Sequence, residues 1–372
     1  VEPKKLERLG RIMGVVNGVY TAMLGPGVEP KKLEKAPMTA PSRWGPSSDA
    51  RWRWAINADT WRPILLANDP EYMLMLDLLT QDECVRLEKL PWKDKKRSLL
   101  GQLLIRRACA QALAQDDFSG ICLSRTHGGK PFLANPLPAE LPNFNFNVSH
   151  DGRWVVLASD PLQLVGVDVS APQRERGEEE TDNFLTDLQS LLHDSEMYAI
   201  NREATVCGRY SIFQRIWSAK ESLTKAVGQG VDFNLERIEV ILDGGAPFPT
   251  LNSLLPWRTE QEEDQQKSSA ASPSAAITVD LWPRDDFVLA QEKLPFNHWT
   301  SVASIPVEEV VDRNGAFTET LRLSGISEAA TSLYLRMPQP RFEILSLEDL
   351  LPESVAVELR RLRLANSHYG FE

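Results

Sequence analysis

The chain has no surplus of positive charge. It carries 41 Lys and Arg against 52 Asp and Glu, a formal net charge of −11, with an isoelectric point near 5.2. Nucleic acids and anionic membranes both need a positive field, so neither is an expected partner. An anionic substrate would have to be met by a local cluster of Lys and Arg. Cysteine is scarce: Cys84, Cys109, Cys122 and Cys207 form no C-x-x-C pair, and no Cys/His spacing suits zinc. Four reduced thiols of an intracellular protein are the expectation. No apolar run reaches the roughly 18 residues that span a bilayer. What is present is ordinary for a globular protein, with 42% hydrophobic and 25% charged residues. At 372 residues there is room for two domains, or for one duplicated domain with extensions.

The heptapeptide VEPKKLE occurs twice, at Val1–Glu7 and Val28–Glu34. The mildly apolar stretch between them is open to three readings: an organelle leader, a partner-binding tail or an artefact of the start codon, with Met38 as an alternative start. Its glutamates are unusual for a transit peptide. Residues 1–50 are therefore set apart as an extension, and the expected compartment is the cytoplasm unless that extension is a leader.

Periodicity predicts an α+β fold. Residues 51–63 read as a strand and turn, and 80–113 as one helix with Leu99, Leu103, Ala110 and Leu113 on one face. Strict alternation in Asn143–Ser149 puts Phe144, Phe146 and Val148 on one side of a strand. Further strands are expected at 154–159, 164–169, 237–242, 277–282, 287–289 and 299–303. Helices are expected at 184–200 and 212–227, after an acidic exposed segment at 173–183. The Glu-, Gln- and Ser-rich residues 258–276 read as a disordered loop. These divide as an N-terminal half (51–163), a C-terminal half (164–306) and a C-terminal extension (307–372), the last with one apolar stretch at 342–351.

Three segments have chemical promise. In Arg125–Pro131 (RTHGGKP), a Gly-Gly turn containing Gly129 lies between Arg125 and Lys130, which suits phosphate but equally suits an ordinary surface turn. In Asn145–Asp151 and Val165–Ser170, Asp168 sits within an apolar strand, where an unpaired carboxylate is costly. A metal or a buried cation would remove that cost, and a turn cap is the plain alternative. His150 ends the preceding strand, near the same sheet end or as a structural histidine. In Trp217–Lys225 (WSAKESLTK), Ile216, Leu223 and Val227 share a core face, whereas Trp217, Glu221 and Lys225 share another. Glu221 and Lys225 suit either a surface salt bridge or a Mg²⁺–pyrophosphate site.

The succession GGKPFL, FNFNVSHDG, VGVDV and WSAKESLTKAVGQG resembles the Sfp-like 4′-phosphopantetheinyl transferases, from about residue 52 to 305. Among these it is most similar to the eukaryotic type that serves fatty-acid synthase and α-aminoadipate reductase. The resemblance implies a pseudo-dimer of two similar α+β halves with coenzyme A between them. It places Arg86, Arg125, Gly129 and Lys130 at the nucleotide and its 3′-phosphate. It places Asn147, Ser149 and His150 along the coenzyme, with His150 on a phosphate. Asp168 and Glu221 would hold Mg²⁺, Lys225 would touch the pyrophosphate, and residues 184–212 would receive the carrier protein. Many bacterial members have a second acidic ligand where this chain has Ser170; Asp151 is then a candidate ligand, or a turn residue opening the Asp151–Gly152 bend. The implied reaction moves phosphopantetheine from coenzyme A onto a serine of an apo acyl, peptidyl or aryl carrier protein, by a monomeric enzyme with Glu221, Lys225 and His150 as catalytic groups. A coenzyme A pyrophosphatase and a silent binding protein of the same fold are the alternatives. Arg202, Arg209 and Arg215 are candidates for meeting an acidic carrier, or are solvated helix charge.

Overall fold

The alternation in the central strands decides how the halves meet. The computed structural model describes residues 50–63, 69–172, 178–229, 234–242, 275–280, 282–284, 286–322, 334 and 337–367. Strands β1 (Arg53–Asn57), β4 (Asn145–Asp151) and β5 (Trp154–Asp160) form an antiparallel sheet, which β12 (Glu343–Leu345) extends in parallel beside β1. A second sheet runs β10 (Val288–Leu294), β11 (His298–Ile305), β6 (Leu164–Ser170). Two short antiparallel groups complete the strands: β2 (Leu123–Arg125) with β3 (Pro131–Leu133), and β7 (Ile238–Leu242), β8 (Ala275–Val279), β9 (Trp282–Pro283).

The helices are α1 (Pro70–Leu76), α2 (Gln81–Glu88), α3 (Trp92–Ala112), α4 (Glu178–Leu188), α5 (Asp194–Asn201), α6 (Val206–Val227) and α7 (Glu353–Ser367). The expected helix over 80–113 is two helices, because Pro91 cannot continue α2 and instead starts α3. A capping box from Thr80 and Glu83 opens α2. The expected helix over 184–200 is likewise divided, into α4, a 3₁₀ turn at Gln189–Leu191 and α5. Part of the acidic segment expected to be exposed is helical backbone in α4. Helix α6 begins six residues earlier than expected, where the Thr205 hydroxyl accepts from Gly208 N–H. Most of the proposed loop lies outside the described residues, but Ala275 and Ala276 already belong to β8.

Each half lays one long helix on its strands: α3 on β4 and β5, α6 on β6 and β11. Three apolar clusters follow. Leu99, Leu103, Phe144, Phe146, Val155 and Leu157 belong to the first, which also takes in Leu345, Leu350 and Leu359 from beyond residue 342. Ile216, Leu223, Ile238 and Ile305 belong to the second. The third lies between the sheets, from Trp154, Val156 and Ala158 of β5 to Val165, Val167 and Val169 of β6. Period-two alternation thus sends one face of β6 to its partner sheet and the other face, Gly166 and Asp168, to α6. Gly166 is needed for that contact: a Cβ there would lie 1.9 Å from the Ser222 carbonyl oxygen.

Candidate active site

The polar side of β4 makes the seam. Strands β4 and β6 are neighbours without ladder pairing, and side chains replace the ladder. Asn145 Oδ1 accepts from Val165 N–H and Asn147 Oδ1 from Val167 N–H, both at 2.9 Å. Ser149, two residues further along the same face, donates to Asp168 Oδ1 at 2.9 Å. Lys225 reaches over from α6 and donates to that same oxygen at 2.5 Å and to Ser149 Oγ at 3.1 Å. The site therefore begins where three chain segments converge: the end of β4, the end of β6 and the last turns of α6.

Its electrostatics are set first by burial. Asp168 is 3% exposed, and burial pushes its carboxyl above the ordinary range while Lys225 and Ser149 pull against it. Glu221, one turn before Lys225 on α6, is buried as well. His150 lies at the seam's outer end. Burial, with Arg97 and Lys225 nearby, takes it down to about 4, so its ring is neutral at neutral pH. Arg97 was not foreseen from sequence. It stands in the second turn of α3 and donates to the Gly152 carbonyl at 3.1 Å and to Asp94 at 2.6 Å. Nothing in the helical pattern of α3 distinguishes it from its neighbours Lys95 and Lys96; only the folding of α3 onto the β4–β5 turn does.

The remaining expected residues are placed as follows. Arg125 donates to the Gly129 carbonyl at 2.9 Å, bracing its own turn. That turn sits on the end of α6: a Cβ on Gly128 would fall 2.0 Å from the Gly228 carbonyl oxygen. The first and third motifs are thus in contact. Lys130 is buried, and its ammonium bonds the carbonyls of Val165 at 2.6 Å and Lys225 at 3.0 Å. It clamps β6 to α6, which is a different task from the nucleotide contact the resemblance assigns to it. Burial lowers it to about 7. Arg86 is half-buried in the last turn of α2, a helix that packs on α3. Asp151 accepts N–H bonds from Gly152 on Oδ1 and Ala171 on Oδ2, both at 2.7 Å, the bonding of a turn clamp. Trp217, grouped with Glu221 by helical spacing, is in the second core and stacks on Phe213 at 5.7 Å. Arg215 lies over the Trp299 ring at 4.8 Å and bonds Gln291; Arg202 is exposed.

The donor set fits Mg²⁺ in kind. Asp168 and Glu221 offer buried hard oxygen donors, which suit that ion. Among the described residues no group of three or more His, Cys, Asp or Glu is placed to hold a cation. The remaining ligands would then come from phosphate and water, as Mg²⁺ commonly takes them.

Comparison with known proteins decides the family. A family model described as "4′-phosphopantetheinyl transferase, N-terminal" matches residues 59–162, and one described as "4′-phosphopantetheinyl transferase superfamily" matches 164–279. The chain belongs to the 4′-phosphopantetheinyl transferase superfamily. A mouse protein named L-aminoadipate-semialdehyde dehydrogenase-phosphopantetheinyl transferase is 33% identical over 296 residues, 71% of this chain and 94% of that one. A phosphopantetheinyl transferase from a Thraustochytrium species is 33% identical over 242 residues, 62% of this chain and 81% of that one. The transferase Sfp of Bacillus subtilis is 28% identical over 181 residues, 49% of this chain and 73% of that one. The activity is that of a phosphopantetheinyl transferase of the Sfp type, close to the eukaryotic group, and the family implies coenzyme A as substrate and a carrier protein as partner. The two matched segments meet between β5 and β6, and the α+β fold of two similar halves is the one the family has.

Proposed function

We propose that the chain is a holo-acyl-carrier-protein synthase: it moves 4′-phosphopantetheine from coenzyme A to a serine of apo carrier proteins and releases adenosine 3′,5′-bisphosphate. The observation that supports it is the Ser149–Asp168–Lys225 cluster, with buried Glu221 one turn away on α6. Glu221 takes the proton of the carrier serine, directly or through water. The serine oxygen then forms a bond to the β-phosphorus of the pyrophosphate. The bond from that phosphorus to the bridging oxygen breaks, and the electron pair leaves on the 5′-phosphate of adenosine 3′,5′-bisphosphate. Lys225 offsets charge on the leaving oxygens, and His150, with Arg97 beside it, would meet a further phosphate. Asp168 and Glu221 would hold Mg²⁺, which supplies charge neutralisation on the pyrophosphate when bound. Asp151 is better read as the turn clamp its two backbone bonds describe.

Incubation with coenzyme A, Mg²⁺ and a panel of apo carriers, including those of fatty-acid synthase and aminoadipate reductase, tests the reading. A mass gain of about 340 Da on a carrier is expected, the mass of one covalent arm. Release of free phosphopantetheine without any carrier would favour a coenzyme A pyrophosphatase instead.

A further inference from the structure

Helix α6 carries a second lysine that the reaction does not use. Lys220 precedes Glu221, about 100° away around the helix. Its side chain is fully buried, as is that of Glu196 on α5. Three oxygens accept from its ammonium: Glu196 Oε2 at 2.7 Å, the Leu191 carbonyl at 2.9 Å and the Leu235 carbonyl at 3.3 Å. Glu196 in turn accepts from His193 N–H and Val240 N–H, both at 2.8 Å. One ion pair therefore joins α6 to the 3₁₀ turn before α5, to α5 itself, to the turn into β7 and to β7.

Such a pair is a poor way to gain stability. Burial lowers Lys220 and raises Glu196, so each ion is disfavoured by its place. Apolar residues of similar volume fill such a site with no desolvation cost. What the ion pair adds is direction: five bonds of defined geometry fix the rotation of α6 and the seat of α5. The outer side of α5 exposes Tyr198, 51% accessible, with the guanidinium of exposed Arg202 5.8 Å from its ring centroid. Tyr and Arg are residue types that carry interface energy, and an acidic partner of this acidic chain needs a local cation to meet.

We infer that Lys220 and Glu196 form a positioning pair, which holds the Tyr198–Arg202 surface of α5 in register with the neighbouring Glu221 so that an acidic acceptor protein docks with its serine in reach. The inference rests on the transferase reading. Two variants test it: Glu196→Gln, and the apolar double variant Lys220→Met/Glu196→Leu. Coenzyme A affinity, measured by calorimetry, is expected to stay within about twofold, whereas KM for the apo carrier rises about tenfold. Tyr198→Ala is expected to raise carrier KM in the unaltered protein and to add less in the double variant, as coupled positions do. An unchanged carrier KM in a folded variant overturns the inference, as do additive effects of Tyr198→Ala. Failure of both variants to fold overturns it too, since the pair would then serve folding alone. If the unaltered protein binds coenzyme A yet modifies no apo carrier, the transferase reading falls and takes this inference with it; loss of the KM split in an active protein removes only the inference.

Discussion

Two lysine–carboxylate pairs hang from the same helix and differ in one respect. Lys220–Glu196 is sealed, with both side chains inaccessible and each ammonium proton matched to a protein oxygen. Lys225–Asp168 is open on one side, the lysine side chain 18% exposed and the carboxylate 5%. A sealed pair has no bonding capacity left for a ligand and serves geometry. The open pair is reached by solvent, and it lies where the two matched family segments meet. The sealed and the open pair thus stand five residues apart on α6.

The sharpest way to break this comparison is to remove the open pair. Lys225→Ala and Asp168→Asn are each expected to lower carrier modification about a thousandfold or more, the first because it removes a cation that would offset charge on the reacting phosphates, the second because it removes a carboxylate that would hold Mg²⁺. Lys225→Ala should also cost stability, because it leaves the buried Asp168 carboxylate without its cation, but less than loss of the sealed lysine does, since Asp168 keeps its Ser149 bond beside a partly exposed gap. Transfer near the unaltered rate in either variant, read by intact mass of the carrier, would refute the site.

The sealed pair should respond chiefly in stability. Lys220→Ala leaves the Glu196 carboxylate buried without its cation, which costs about 3–5 kcal/mol. Urea denaturation would show it as a lower midpoint with the slope unchanged. A loss under about 1 kcal/mol would mean that water reaches Glu196, and the distinction between the pairs would vanish.

How far the residues alone led follows the same division. Asp168 was legible because a carboxylate inside VGVDV is expensive unless compensated, and alternation put it opposite Val167 and Val169. The helix breaks at Pro91 and after Leu188 were missed where periodicity continued across them; the first has a local cause in proline, the second a tertiary one. Asn145 and Asn147 went unrecognised as a seam because polar residues alternating with Phe144 and Phe146 look like a solvent face, and only the second half of the chain covers them. Lys220 and Arg97 were illegible for a related reason. A lysine in WSAKESLTK and an arginine in KDKKRS look like solvated helix charge until α5 and the β4–β5 turn are laid against them. The apolar pattern at 342–351 is visible in the residues, but its place in the first sheet depends on pairing nearly three hundred residues away, with β1.

Lys130 supplies the third case and the smallest expected effect. It is buried like the sealed lysine, though not sealed, and bonds only carbonyls; burial alone takes it down to about 7 from 10.5. A neutral amine still has two N–H groups, enough for the Val165 and Lys225 carbonyls, so the clamp survives loss of the charge. The sign follows. Between about pH 7 and 10.5 the unfolded chain holds a proton that the folded chain lacks, so this residue makes stability rise with pH across that window. The slope is at most about 1.4 kcal/mol per pH unit. Lys130→Met removes the titration, so the stability of the unaltered protein relative to the variant should rise from pH 7 to pH 9. Denaturation midpoints for both proteins at the two pH values measure it. Parallel profiles would show that Lys130 keeps its charge when folded, so that a carboxylate partner is not what keeps a buried lysine of this fold protonated.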